Sequence, residues 1–375
     1  MKISWLGFSS LNHSWSIVAQ NTCRALSKQG HDVHMFSTNG IKFFPDDLKH
    51  LLVGYIDENT KQVIGKSLDN EYDCQLTYTY LQNFGKYLSN GKRNRFAHWN
   101  YEFAGNGSLP QGSAKHYKYC DKLIAASQFS KQIFIDNGIP NDGLEVIPHG
   151  IDVDKFINNK TTIDLKTNKR VKILVNIAQP HLRKNIDGVL DTYGKAFTNT
   201  DDVVLVIKVV DKKPEAPFEM SFSNSLNVFK KKFSNHADII VLKDFITDID
   251  QLYRSCDILF GQMFCEAFWM PGLEALAAGL VVVAPKYGGQ MDYLTNDNSL
   301  LIDGKITFAN SNALYWQQNK RDTLWYQCNQ DNAVSKLRYA YDNIDILKTK
   351  FNCQNHIKQN YSWGNVANKI MELTK

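Results

Sequence analysis

The sequence predicts an α/β protein of two domains. Three observations support this prediction: the chain length, the alternation of short β-branched runs with amphipathic stretches, and a restart of that alternation after a polar segment. A chain of 375 residues is long for a single core and sufficient for two domains of moderate size. Alternating strands and helices indicate parallel sheets covered by helices. We therefore expect two doubly wound domains that face a cleft, where the carboxyl ends of both sheets meet a ligand.

The first domain begins with a strand–helix–strand unit. KISWLGF and HDVHMFS are the strands, and IVAQNTCRALSKQG between them is the helix. Val18, Thr22, Ala25 and Leu26 fall on one face of that helix, and Gly30 is placed to end it. The segment CDKLIAASQFSKQIFIDNGI repeats the strand–helix pattern, with Ser127 or Ser130 as the helix cap.

A second domain follows a polar, turn-rich segment at 144–169, which is typical of a linker. The strand and helix patterns then restart and alternate from VKILVNI, near 171, to LVVVAP, near 285. The two domains therefore have the same construction, with the linker between them.

Composition excludes several classes of protein. Charged residues are 22% and hydrophobic residues 43%, as in soluble globular proteins, and the longest apolar run has the length of a strand. Seven cysteines without a CxxC pair indicate reduced thiols and no zinc site. MKISWLGF lacks the features of a signal peptide, so we expect a cytoplasmic protein. The basic run containing Lys92, Arg93 and Arg95 suits an anionic membrane or nucleic acid, although such a run is usually a solvated face.

The segment CEAFWMPGLEALAAG, residues 265–279, places two carboxylates around a helix start. Pro271 suits the first turn of a helix and Gly279 its end, so the N–H groups near 272–274 form a natural diphosphate site. Glu266 precedes the helix and Glu274 lies one turn inside it. One carboxylate then accepts hydrogen bonds from a sugar and the other from a ribose. The alternative is a pair of solvated glutamates near a structural turn.

The same segment resembles a known signature. EAFWMPGLEALAAG is similar to the E-x7-E motif of family 4 glycosyltransferases, usually written E-G-F-G-L-P-x-L-E-A-M-A-x-G. Further similarity lies in the passage from CDKLIAASQF to LEVIPHGID, in RKNIDGVL, in GGQMDYL and in YSWGNVANKIMEL, so it extends from residue 1 to about 370 in the family's order.

The resemblance implies a GT-B fold and retaining transfer of a hexose-type sugar from a UDP- or GDP-sugar to a hydroxyl acceptor, without a bound metal or cofactor. It implies an acceptor-side domain at 1–155, a nucleotide-sugar donor domain at 156–354, and a C-terminal helix at about 355–375 that packs back on the first domain. The acceptor it implies is a glycan or a lipid-linked sugar, and it admits contact with the inner face of a membrane. A modified nucleic-acid base is a less favoured acceptor.

The resemblance also implies roles for individual residues of the donor domain. Glu266 contacts the transferred sugar, Glu274 the ribose, and the cations of Arg183 and Lys184 neutralise the departing diphosphate. The start of the helix and a loop before it complete the expected donor site: Met270, Gly272, Leu273, Phe245 and Ile246. Gly288 and Gly289 are expected to shape a nearby turn.

In the first domain, His98 and Glu102 are the two candidates for the group near the reacting carbon. A histidine beside aromatic residues is also common as a core residue. The family's N-terminal Gly-Gly loop is replaced by LNHSWSIV, so His13, Ser14 and Trp15 are expected on the acceptor side.

Two departures keep a second hypothesis open. Ala178 occupies a position where family members often carry an arginine, and LNHSWSIV replaces the family's glycine loop. A relative that binds a nucleotide sugar or glycan without turnover is therefore the alternative. A third departure, Trp269 in the crowded loop after Glu266, points instead to an unusual choice of sugar. A dehydrogenase is excluded, since GFSSLN after the first strand is no G-x-G-x-x-G motif.

Overall fold

The computed structural model describes residues 1–10, 14–66, 72–88, 94–177, 179–210, 214–314 and 322–375. The chain divides into two compact units. Unit 1 comprises Met1–Tyr101, Leu109–Ile151 and Gln359–Lys375, and unit 2 comprises Glu102–Ser108 and Asp152–Lys358. The sequence placed the first boundary at 155/156 and the start of the last helical region at about 355, and it assigned 102–108 to the first domain.

Unit 1 is built on one sheet. Its strands are β1 (Lys2–Gly7), β2 (Asp32–Ser37), β3 (Leu52–Ile56), β4 (Val63–Gly65), β5 (Cys74–Tyr78), β6 (Arg95–His98), β7 (Lys122–Ala125) and β8 (Leu144–Val146). Among the described residues they lie in the order β4-β3-β2-β1-β5-β6-β7-β8, parallel except for β4. The helices are α1 (Ser14–Lys28), α2 (Phe84–Tyr87) and α3 (Gln128–Asp136).

The predicted elements of unit 1 form for the expected reasons. Val18, Thr22 and Leu26 are buried on α1, and Gly30 follows with a left-handed φ of 86°. Ser127 is the cap of α3, because its Oγ accepts a hydrogen bond from the Ser130 amide at 3.1 Å. The prediction of a continuous linker from residue 144 was wrong at its start, where β8 pairs with β7.

Unit 2 repeats this construction around β9 (Val171–Ile177), β10 (Val203–Val209), β11 (Asp238–Leu242), β12 (Ile258–Phe260), β13 (Val281–Pro285) and β14 (Leu300–Ile302). Among the described residues these strands form a parallel sheet in the order β11-β10-β9-β12-β13-β14. Every residue of β10 is buried, as in a sheet covered on both faces. Its helices up to β13 are α4 (Ile186–Ala196), α5 (Phe222–Lys232), α6 (Ile249–Arg254) and α7 (Met270–Ala278).

An antiparallel hairpin, which the sequence did not predict, follows the sheet. It consists of β15 (Gly304–Phe308) and β16 (Leu324–Cys328). The remaining helices are α8 (Gln330–Asp342), α9 (Ile344–Lys350), α10 (Gln354–Asn360) and α11 (Trp363–Glu372). Within unit 1, α11 packs on α1, where the Gln29 side chain donates hydrogen bonds to the Gly364 carbonyl at 3.2 Å and to Asn368 Oδ1 at 2.9 Å.

Candidate active site

Two carboxylates and two cations of unit 2 form a charge cluster, which we define as Glu102, Arg183, Lys184 and Glu266. Arg183 Nη1 lies 2.9 Å from Glu266 Oε1, and Arg183 Nε lies 2.8 Å from Glu102 Oε1. The Lys184 ammonium donates to the same oxygen of Glu266. Two positive and two negative groups therefore balance within a single network, and the bonds within it are charge-assisted.

Burial strengthens the electrostatic attraction between Glu266 and its partners Arg183 and Lys184. The Glu266 side chain is only 8% exposed, and those of Arg183 and Lys184 are 18% and 22% exposed. Burial alone would raise the pKa of Glu266, but the charges and hydrogen bonds of Arg183 and Lys184 hold that pKa below its usual value. Burial lowers the pKa of Lys184, although Glu266 opposes the effect. Glu266 is thus an ionised carboxylate with two cationic partners.

The turn that carries Arg183 and Lys184 is fixed by its own polar residues. His181 Nδ1 accepts a hydrogen bond from the Arg183 amide at 3.1 Å, and the His181 ring stacks on Phe218 at 4.9 Å. Asn185 adopts a left-handed conformation (φ 53°), and its Oδ1 caps α4 by accepting from the Gly188 amide at 3.2 Å. Sequence reasoning missed His181 and Asn185, although HLRKN carries the cap residue immediately before the helix pattern.

Backbone contacts join this turn to the loop that carries Glu266. The Phe264 amide donates to the Arg183 carbonyl at 2.8 Å, and the Asn185 side chain donates to the Gln262 carbonyl at 2.9 Å. On the other side, the Gly289 amide donates to the carbonyl of Glu266 at 2.8 Å. The Gly-Gly turn therefore holds the backbone of Glu266. The loop itself begins after Phe260, the last residue of β12.

Helix α7 begins as expected, with Pro271 in its first turn and Gly279 ending it at φ 83°. The residue before it, Trp269, has a left-handed φ of 63°, which is unusual for a bulky side chain. Tyr293 Oη donates to the Trp269 carbonyl at 2.6 Å and so stabilises this conformation.

The start of α7 differs in part from the expected donor-binding surface. The amide of Gly272 donates to the Trp269 carbonyl at 2.9 Å, so this N–H closes a turn instead of pointing to an anion. The Leu273 side chain is buried in the core, and Met270 is half-buried.

Glu274 lies in a second group of contacts with Tyr253 and Asn176. Tyr253 Oη donates to Glu274 Oε2 at 2.7 Å and accepts from Asn176 Nδ2 at 2.9 Å. Burial raises the pKa of Glu274 to about 7, and the hydrogen bond from Tyr253 opposes part of that rise. The two glutamates of the motif therefore differ in charge state: Glu266 is ionised by its cations, whereas Glu274 titrates near neutrality.

The loop between β11 and α6 carries the two residues expected near the base. The Phe245 side chain is 63% exposed and Ile246 is half-buried. An exposed aromatic side chain in a loop is able to pack on a planar ring. Their contact with a base stays a prediction.

In unit 1, His98 is a core residue at the end of β6. Its ring lies 6.0 Å from Trp5 and 5.9 Å from Tyr78, and it is 3% exposed. Burial lowers the pKa of His98 to about 3, so the imidazole is neutral at physiological pH. Among the described residues, its Nε2 has no hydrogen-bond partner. Glu102, the other candidate, belongs to unit 2 and joins the charge cluster.

Trp15 is part of an aromatic group in unit 1. Its ring stacks on Tyr78 at 4.9 Å and contacts Tyr80 edge-on at 4.9 Å and Phe8 at 5.5 Å. Ser14 begins α1 and is exposed. His13, Ala178, Lys92 and Arg93 lie outside the described residues. The third member of the basic run, Arg95, is paired with Asp121 at 2.8 Å, so its charge is already balanced.

The chain is similar to known glycosyltransferases. Residues 159–313 match the family model Glycosyl transferases group 1. "Putative glycosyltransferase 45" of Sulfolobus islandicus filamentous virus (isolate Iceland/Hveragerdi) is 22% identical over 95% of this chain and 89% of the viral protein. "Probable sucrose-phosphate synthase 4" of Oryza sativa subsp. japonica is 23% identical over 67% of this chain, which spans only 24% of that longer protein.

Solved structures show the fold. The crystal structure of Anabaena HepE in complex with UDP superposes with a TM-score of 0.66 at 16% identity, covering 99% of both chains. The chain therefore has the GT-B fold, with two Rossmann-like units, as the sequence predicted. The match to the group 1 family model supports a glycosyltransferase.

Two further findings concern possible partners. Among the described residues, no helix combines the length and apolar character needed to cross a membrane. In the same parts of the chain, no group of three or more His, Cys, Asp or Glu side chains is placed to hold a metal ion.

Proposed function

We propose that the protein is a retaining, family 4 glycosyltransferase that moves a hexose from a UDP- or GDP-sugar to a hydroxyl of a glycan or glycolipid without a metal ion. The observation that carries this proposal is the charge cluster, in which the Glu266 carboxylate lies against Arg183 and Lys184. Diphosphate departure requires neutralisation of developing negative charge. Two cations held in place by neighbouring backbone contacts supply it.

The roles divide between the two glutamates. Glu266, ionised and fixed, accepts hydrogen bonds from the transferred sugar, while Arg183 and Lys184 bind the diphosphate. Glu274, held by Tyr253, accepts hydrogen bonds from the ribose. UDP is the first nucleotide to test, because HepE of similar fold is described in complex with UDP and with UDP-glucose.

No strong protein base is required in this proposal. The departing phosphate takes the proton of the acceptor hydroxyl on the face from which it leaves, so the anomeric configuration is retained. The His98 imidazole, neutral because its pKa is about 3, is suited to donate or accept a hydrogen bond and not to act as a base at physiological pH.

The test is turnover of UDP- and GDP-hexoses with excess EDTA, with the product anomer assigned by proton NMR. Release of one nucleotide without metal and an α product from an α-linked donor is expected. A β product contradicts retention, and activity only with added metal contradicts the metal-free site. Nucleotide-sugar binding with no transfer to acceptor and no donor hydrolysis would favour the binding-only relative.

A further inference from the structure

The hairpin β15–β16 contacts the backbone beside the charge cluster. The amide of Tyr326 in β16 donates to the Phe264 carbonyl at 2.8 Å, and the Phe264 amide donates to the Arg183 carbonyl at 2.8 Å. These two hydrogen bonds connect strand β16 to the backbone of Arg183 through Phe264. Glu266 follows Phe264 by two residues, so the same contact also bears on the second charged group.

A ring stack reinforces this backbone contact. The Trp325 side chain lies parallel to Phe264, with ring centroids 4.1 Å apart and an interplanar angle of 22°. Trp325 is 8% exposed and Phe264 is half-buried, so most of the stack is shielded from solvent. Aromatic pairs of this kind restrict the position of both partners as well as burying area.

The same strand also holds the segment that carries Glu102. The Leu324 amide donates to the Ala104 carbonyl at 2.8 Å. Gly105 lies so close to the hairpin that a Cβ there would be 1.9 Å from the Asp322 carbonyl oxygen, and its φ is 109°. Only glycine fits this approach. Glu102 lies three residues before Gly105, and its Oε1 is 2.8 Å from Arg183 Nε. A continuous series of contacts therefore runs from Arg183 through Phe264, β16 and the Glu102 segment back to Arg183.

We propose that β16 is a positioning element of the donor site and that Trp325 is its positioning residue. Trp325 fixes Phe264, and Phe264 in turn sets the placement of Arg183 and Glu266 relative to one another. This inference rests on the proposed function, since it assigns a role in the same site. Errors of about 1 Å in the placement of such groups are sufficient to cost up to about a hundredfold in rate.

The test compares Trp325→Ala and Trp325→Leu with Trp325→Phe, which retains a ring. Phe308→Ser is the matched control, because Phe308 lies on β15 of the same hairpin and is 70% exposed. Donor hydrolysis is measured as kcat and KM per active site, with sites counted by calorimetric UDP titration. We expect Trp325→Ala and Trp325→Leu to lower kcat/KM by about tenfold or more, which corresponds to the free energy of about one aromatic stack. Trp325→Phe and Phe308→Ser should keep kcat/KM within about threefold of wild type.

The alternative outcomes separate the two proposals. If Trp325→Leu lowers Tm and the number of active sites but leaves kcat/KM per site unchanged, Trp325 is only structural and the inference is overturned. Equal losses in Phe308→Ser also overturn it. If the wild-type protein neither binds UDP or GDP nor turns over their sugars, the proposed function fails and the inference fails with it. Trp325→Leu keeps an apolar side chain, so it serves if Trp325→Ala does not fold.

Discussion

Arg183 Nη1 lies 2.9 Å from Oε1 of Glu266, and this contact joins two residues that are 83 positions apart in the chain. The same guanidinium is 2.8 Å from Glu102, so it lies against two carboxylates at once. Because the Glu266 side chain is almost fully buried, loss of either partner would leave an uncompensated charge. In the proposed function, this pair is the point at which binding of the diphosphate and contact with the sugar are linked.

The first prediction concerns Glu266→Gln. The substitution keeps the shape and removes the charge, so we expect turnover to fall by about a hundredfold, the scale of one preorganised electrostatic contact. UDP affinity should not weaken, because Arg183 and Lys184 lose a competing anion. The measurements are donor hydrolysis and UDP calorimetry, with Glu372→Gln, an exposed glutamate of α11, as the control. Loss of UDP affinity with turnover intact would mean that the roles of Glu266 and Glu274 are exchanged.

The second prediction concerns Arg183→Ala. A charge-assisted contact is worth about 1.5–3 kcal/mol, so the Kd for UDP should rise by about 10- to 100-fold. The Kd for uridine, which lacks the diphosphate, should stay constant. Lys230→Ala, which removes an exposed cation of α5, is the control for net charge. Equal weakening of uridine and UDP would place Arg183 away from the diphosphate.

The third prediction concerns the turn before α7. A Cβ at Gly272 would lie 2.4 Å from the Trp269 ring and 2.7 Å from Tyr293 Oη, so Gly272→Ala should displace Trp269. We expect a lower Tm, by several degrees, and weaker UDP binding. Gly364→Ala is the matched control, since the nearest atom to its Cβ would be Ser362 Oγ at 3.7 Å. An unchanged Tm for Gly272→Ala would contradict the packing described for Trp269.

The fourth prediction concerns the pH dependence of stability. Burial raises the pKa of Glu274 from 4.5 to about 7, so the folded protein retains a proton there that the unfolded chain has lost. The contribution of Glu274 to stability therefore falls as pH rises from about 4.5 to 7, by up to about 3 kcal/mol. In the variant Glu274→Gln, the side chain is neutral at every pH and can still accept the hydrogen bond from Tyr253.

Thermal unfolding of Glu274→Gln and wild type at several pH values between 5 and 8 measures this effect. The Tm of the variant relative to wild type should rise with pH over that range. Glu372→Gln should show no such trend. A difference in Tm that is constant with pH would show that Glu274 is ionised throughout.

Much of the fold was predictable because its signals are local. The apolar face of α1, the serine cap of α3, and Pro271 and Gly279 at the ends of α7 each depend on residues within one element. The hairpin β15–β16 was missed because its strands are five residues long and lie on either side of residues 309–323, so no two-residue turn of the kind that signals a hairpin joins them. Strand β8, three residues long, is too short for a periodic pattern.

The sequence singled out some residues of the candidate site but not the pairings between their side chains. The sequence singled out Glu266, Arg183 and Lys184 by the resemblance they carry, and the structure brings these three together. His98 and Glu102 were alternative candidates for the group near the reacting carbon, and the contact of Glu102 with Arg183 was not predicted. The hydrogen bond from Tyr253 to Glu274 also had no local signal, because contacts between side chains on different elements depend on packing.

Calorimetric titration of the wild-type protein with UDP, and with GDP for comparison, in excess EDTA is the direct test of the proposed donor site. If Arg183 and Lys184 bind the diphosphate without metal, we expect saturable binding of one nucleotide at micromolar concentration, with an affinity that falls as salt rises. Absence of binding by both nucleotides at millimolar concentration, or binding that appears only when a divalent metal is restored, would contradict it.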